Sequence, residues 1–322
     1  MNARAELIER VALHRRAQLG TLSDAGYQEL LAAVRENVEN FVDTAEDEAF
    51  LLVTKAVERQ TAARDGEDLL DDEAFFESRS RRMSRLVLDC EKALSVDPDC
   101  LDAQLLHALA MDQDPDPTLG PLLEVEQHAD KRLEHAVLLA DAWNDVLLRP
   151  VLRIKAAVSR ACLDSARYRM AAQKAEECIT LSALDALGLR HTGFLAYARL
   201  EDEGAFDALD VRFSRQASAW SLLAHAILLY KLGRMPAARR AICGYSRLCE
   251  GGAYALIKPI MVDTYLPDRP EAPTLSFAEA TLAVHEADPV ICDVPDFVSW
   301  AQSQRDVWFS GQDYARRQGY DW

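Results

Sequence analysis

Three arginines and three aromatic side chains are the residues of this sequence best suited to recognition chemistry: Arg153, Arg160 and Arg190, with Tyr197, Trp220 and Tyr230. An arginine fork grips a carboxylate through charge-assisted hydrogen bonds, and a Tyr or Trp adds contact area at low entropic cost. That mixture suits a peptide, above all an acidic or C-terminal one. The competing use of the same groups is internal, with arginines paired to neighbouring carboxylates and aromatics filling gaps between helices. Register separates the two uses weakly, because a slip of one residue turns a helical face by about 100°.

Other chemistries lack their residues. No G-x-S-x-G, G-x-x-x-x-G-K-S/T, G-x-G-x-x-G or H-E-x-x-H occurs, so the chain is not expected to be an enzyme and no cofactor is expected. His128 and His135 stand two helical turns apart, about 10 Å of rise, too far to chelate one ion. The acidic run Asp65 to Glu73 lacks the alternating ligands and closing Glu of a calcium loop, and no metal site is expected. The seven cysteines include no C-x-x-C pair and read as buried, reduced, small apolar residues.

The elements that must position the six candidates are helical. Ala and Leu dominate, whereas Gly (13) and Pro (12) are scarce, which favours helices burying an apolar stripe. A net charge of −17 argues against nucleic acid and anionic membrane as partners. No apolar run approaches the roughly 20 residues of a membrane span, and the N-terminal residues lack a signal-peptide pattern. A cytoplasmic protein is expected.

Residues 1–72 read as a helical extension, with stripes such as Leu7, Ile8, Val11 and Phe50, Leu51, Val53, Val57. The acidic run ending at Glu73 reads as a charged linker entering a helix with an acidic first turn. From 73 to 250, helix-turn-helix units of about 34 residues recur, as they must if each unit can bury its apolar face only by stacking. Their signs are Pro98 before the helix Leu101 to Met111, the units Val151–Ala183, Leu189–Arg215 and Ala219–Cys249, and the small residues Ala171, Ala208 and Ala238. The turn Leu232-Gly233-Arg234-Met235-Pro236 pairs a cap glycine with a first-turn proline. Residues 251–322 read as a loop followed by capping helices near Phe277 and Phe297.

These features make an all-α, tetratricopeptide-like array, an α-solenoid, with extra N-terminal helices. The first helix of each unit would line a concave face. Register places Arg153, Ala156 and Arg160 there in one unit, Arg190, Gly193 and Tyr197 in the next, and Trp220, Leu223, Ile227 and Tyr230 in the third.

The wording of the chain adds a resemblance. Asp97-Pro98-Asp99-Cys100-Leu101-Asp102-Ala103, Arg149-Pro150-Val151-Leu152-Arg153, Leu187-Gly188-Leu189-Arg190 and Val294-Pro295-Asp296-Phe297 occur in that order. The stretch from Arg82 to Trp300 thereby resembles the bacterial tetratricopeptide-repeat relatives of the suppressor of tumorigenicity seven family. Ser182-Ala183 replaces the family's Asn-Pro, while Asp185, Gly188 and Arg190 match the family's pattern just after that pair. The resemblance implies a fold and a binding role without catalytic residues. The expectation is an adaptor or scaffold holding an acidic peptide or protein segment on the concave face. The alternative is a small-molecule or nucleotide-responsive regulatory module, with the same arginines on a phosphate.

Overall fold

The computed structural model describes residues 2–322 apart from 68–69, 112–114 and 135–140, and not the side chains of Asp72 and Pro115. His135 and part of the acidic linker therefore lie outside the described residues. Among the described residues there is no strand; sixteen α-helices and two short 3-10 helices account for the regular structure. Within each unit chain neighbours pack as pairs, as helices do in an α-solenoid. No described helix is long and apolar enough to cross a membrane. Two compact units divide the chain, one of Met1–Ile154 with Leu266–Asp268 and one of Lys155–Tyr265 with Arg269–Trp322.

The first unit holds α1 (Ala3–Leu19), α2 (Asp24–Glu36), α3 (Ala45–Arg64), α4 (Asp72–Val96), α5 (Leu101–Met111) and α6 (Pro115–Glu134). Helix starts are written in the sequence, since Ser23, Thr44 and Asp71 each accept a hydrogen bond from a backbone N–H of the first turn. Leu7 and Val11 of α1, Val34 of α2, Phe50 and Val53 of α3, Met83, Leu86 and Cys90 of α4, and Leu106 of α5 form its core.

The boundary falls inside α7 (Arg149–Asp164). The second unit continues with α8 (Tyr168–Leu181), α9 (Leu189–Leu200), α10 (Glu203–Arg212), α11 (Ala219–Lys231) and α12 (Met235–Leu248), followed by α13 (Gly252–Ile257), α14 (Phe277–Cys292), α15 (Phe297–Gln302) and α16 (Arg305–Gln318). Gly233 takes φ 69° in the α11–α12 turn, and Pro236 sits in the first turn of α12. Ala171 and Ala238 are fully buried. Ala208 is instead exposed, because Phe206 and Leu209 supply the inward face of α10. Six cysteines are buried and Cys292 is exposed, all as free thiols, and burial pushes Cys90, Cys100 and Cys249 up to about 12.

Candidate functional site

In the second unit, α14 packs against both α9 and α11, the helices that the repeat pattern assigns to a binding face. Its seating is polar as well as apolar. Glu279 accepts from the backbone N–H of Ala219 (3.0 Å) and of Leu275 (2.7 Å), supplying a carboxylate at the start of α11 where free N–H groups favour negative charge. Further along α14, Glu286 accepts from Trp220 Nε1 (2.8 Å) and from Arg269 Nε and Nη2 (2.7 and 3.0 Å). At the far end Asp293 accepts from Tyr168 Oη (2.8 Å) and Arg199 Nε (2.9 Å).

Arg269 ties this seat to the start of α9. Its Nη1 donates to the carbonyls of Leu187 (2.6 Å) and Gly188 (2.7 Å). Gly188 has φ 67°, which favours glycine, and a Cβ there would stand 2.4 Å from Arg269 Nη1, so a larger residue would have to displace that guanidinium. Asp185 caps α9 by accepting from the N–H of Leu189 (2.6 Å) and Arg190 (3.3 Å). Burial raises the Asp185 carboxyl to about 6 against the opposing pull of Arg190. Burial also raises Glu286, but Arg269, its hydrogen bonds and Arg160 outweigh it, and the carboxyl lies below its usual range.

The six sequence candidates have different surroundings. Trp220 is buried, stacked on His191 (4.2 Å between centroids) and bonded to Glu286. Tyr230 packs against Phe297 and Trp300 (5.4 and 4.8 Å). Tyr197 Oη donates to Glu176 (3.2 Å), and burial with that carboxylate raises the phenol to about 12. Arg190 lies 3.7 Å from Asp185 and over the Phe213 ring; Arg160 lies over Tyr265. α14 and α15 thus cover the two aromatics Trp220 and Tyr230, leaving Arg160, Arg190 and Tyr197 partly exposed.

Arg153 belongs to the first unit and is 1% exposed. Its Nε donates to Asp268 (2.8 Å), its Nη1 to Glu6 (2.9 Å) and its Nη2 again to Glu6, with Asp102 3.7 Å away. Arg10 closes the cluster by donating to Asp102 (2.7 Å) and Glu6 (3.3 Å). Glu6 and Asp268 engage all three guanidinium nitrogens of Arg153, which is the internal ion pairing set out as the competing reading. Its partners lie 147, 115 and 51 residues away in the chain, a separation that no local pattern could announce.

The first unit carries a different surface. α4 turns Glu73, Phe76, Glu77, Ser80, Arg81, Ser84, Arg85 and Leu88 outward, all exposed, at the spacing of one helical face. A groove of about 350 Å³ on one side is lined by Arg59, Gln60, Arg81, Arg82, Arg85 and Asp89. Another of about 480 Å³ is lined by Phe76, Met83, Val87, Leu88 and Met111. Phe76, Leu88 and Met111 are 55%, 51% and 63% exposed. Buried Asp89 gathers Arg59 (2.7 Å), Arg85 (3.5 Å) and Lys92 (3.6 Å), three cations to one carboxylate, whereas Arg82 is spent on a buried bidentate pair with Glu67 (3.0 and 2.8 Å). This face escapes a reading of the sequence that weighs Arg79 to Arg85 only as the sequel to an acidic linker, although the 3.6-residue period is there to be read.

Among the described residues no group of His, Cys, Asp and Glu is arranged to hold a metal ion. Compared with models of protein families, with curated proteins and with solved structures, the chain matches none.

Proposed function

We propose that the chain is a protein-interaction adaptor: a tetratricopeptide-like array, of the kind its resemblance to the suppressor of tumorigenicity seven relatives implies, that holds a helical segment of a protein rather than transforming a substrate. The docking surface of this reading is the outer face of α4 with its flanking grooves. The observation that carries it is the exposure of Phe76, Leu88 and Met111 around a groove, since exposed apolar side chains gathered beside a cleft mark interaction surfaces. Arginines along the other rim add steering and register. The face of α9 and α11, where the pattern put the partner, already holds α14 of the same chain, which favours α4 as the open surface. A net charge of −17 disfavours nucleic acid.

Crosslinking capture with the full chain tests this. Phe76→Asp with Leu88→Asp is expected to abolish capture of a stoichiometric protein partner while helicity by circular dichroism is retained. Undiminished capture by that variant would move the docking surface elsewhere.

A further inference from the structure

The outer face of α4 carries its charges in two blocks. Glu73 and Glu77 occupy the N-terminal half and Arg81 and Arg85 the C-terminal half, with the small Ser80 and Ser84 toward the middle and Phe76 and Leu88 toward the ends. A uniformly acidic segment laid along this face meets the arginines but is repelled by the glutamates, and a basic one fails the other way. The segment that fits throughout has the opposite order of charge, and α4 itself, reversed, is such a segment. About a two-fold axis beside position 79, an antiparallel second α4 brings Glu77 level with Arg81 and Glu73 level with Arg85. The same register carries Leu88 just past Asp72, the first residue of the facing helix, toward the turn that holds the exposed Leu70. A two-fold contact of this type repeats every favourable pair twice, because each copy offers the same patch to the other.

We propose that the partner held by α4 is a second copy of this chain, paired antiparallel through Glu73, Glu77, Arg81 and Arg85. This rests on the docking surface proposed above and names its occupant. The dimer should be of modest affinity. Glu73 to Leu88 spans about 22 Å of helix, which puts the contact at the small end of specific interfaces, so it forms and dissociates with concentration. Its ion pairs lie near solvent, so added salt weakens it. The intramolecular alternative for these arginines is slight: Arg81 Nε reaches the Glu77 carbonyl at 3.3 Å and Arg85 shares Asp89.

Charge-swap complementation of the full chain tests the pairing by sedimentation velocity over a concentration series. The wild type is expected to move from the 35.9 kDa monomer toward twice that mass. Arg81→Glu with Arg85→Glu makes the face wholly acidic, and Glu73→Arg with Glu77→Arg makes it wholly basic. Each variant alone is expected to lose self-association by about tenfold or more, the equivalent of about 1.4 kcal/mol, and an equimolar mixture to regain it as a heterodimer. All four positions are exposed, so far-UV circular dichroism should be unchanged, and the two variants control for each other's folding. A wild type that stays monomeric throughout, or a mixture that fails to pair, overturns the proposal. If the mixture fails while Arg81→Glu with Arg85→Glu abolishes capture of a different protein, the dimer falls and the adaptor surface stands. If these substitutions change neither self-association nor capture, both fall.

Discussion

Around Arg153 and along α4 the chain uses the same side chain in opposite settings. The Arg153 guanidinium is buried against Glu6, Asp102 and Asp268, and Arg10 shares two of those carboxylates. On α4 the proportion inverts, with three cations around Asp89 and the side chains of Arg59, Arg85 and Lys92 more than half exposed. What separates a structural arginine from one free to bind is therefore the number of carboxylates within reach and their burial, neither of which is a property of the arginine's own position in the chain. An arginine that has consumed its local acids fixes the fold, whereas one in local excess is left to act on something outside it.

The largest effect that could break this contrast is at Arg153. Arg153→Ala leaves Glu6, Asp102 and Asp268 buried with reduced compensation, and a loss of about 3–5 kcal/mol is expected, read as a fall in thermal midpoint of about 10 °C. Arg153→Lys should rescue little of it, because a single ammonium cannot reproduce the fork that reaches two carboxylates at once. A midpoint unchanged from the wild type would show that the cluster contributes little.

A middle-sized effect sharpens the comparison within the second unit, where Glu286 accepts two hydrogen bonds from Arg269 while Asp185 has Arg190 only at 3.7 Å. Because the folded chain holds the Asp185 proton more tightly than the unfolded chain does, this group favours the fold below about pH 4, and that contribution is lost as pH climbs to about 6. Asp185→Asn, which keeps a capping oxygen, should remove a pH-dependent step on the order of 1–3 kcal/mol from stabilities measured by urea unfolding across that window. An identical pH profile for the variant would mean that Asp185 carries no such burden.

The smallest effect belongs to α4. Arg81→Ala and Arg85→Ala should each shift stability of the isolated monomer by no more than about 0.5 kcal/mol in dilute denaturation experiments. A cost of several kcal/mol would place these arginines with Arg153, as parts of the scaffold.

Helices are legible in the sequence because period, caps and turns are local. Ser218, at the start of α11, forms a reciprocal cap with Ser221, and Gly233 with Pro236 marks the α11–α12 hairpin. Ala208 departs from the repeat pattern because a small residue at repeat spacing says nothing of whether its neighbours Phe206 and Leu209 are the ones turned inward. The final helix α16, with Val307 and Tyr314 buried, is not separated from α15 by the sequence pattern, since only the short turn around Ser303 divides them. The ion clusters cannot be read from the sequence at all. Arg269 sits in a segment without periodicity, and its partners Gly188 and Glu286 are identified only once the chain has folded back.

The seat of α14 has a consequence for how the chain is made. A simple stack of helix hairpins contacts only its neighbours and can acquire structure as each hairpin emerges. Here Tyr168 waits for Asp293, and Trp220 waits for Glu286. While the ribosome adds residues 231–286, a matter of several seconds at about 5–20 residues per second, the apolar sides of α9 and α11 stand uncovered. The second unit therefore completes its folding late and through long-range closure, which slows it relative to an array of local contacts and makes a nascent chain stalled before α14 an exposed hydrophobic surface for chaperones to shield.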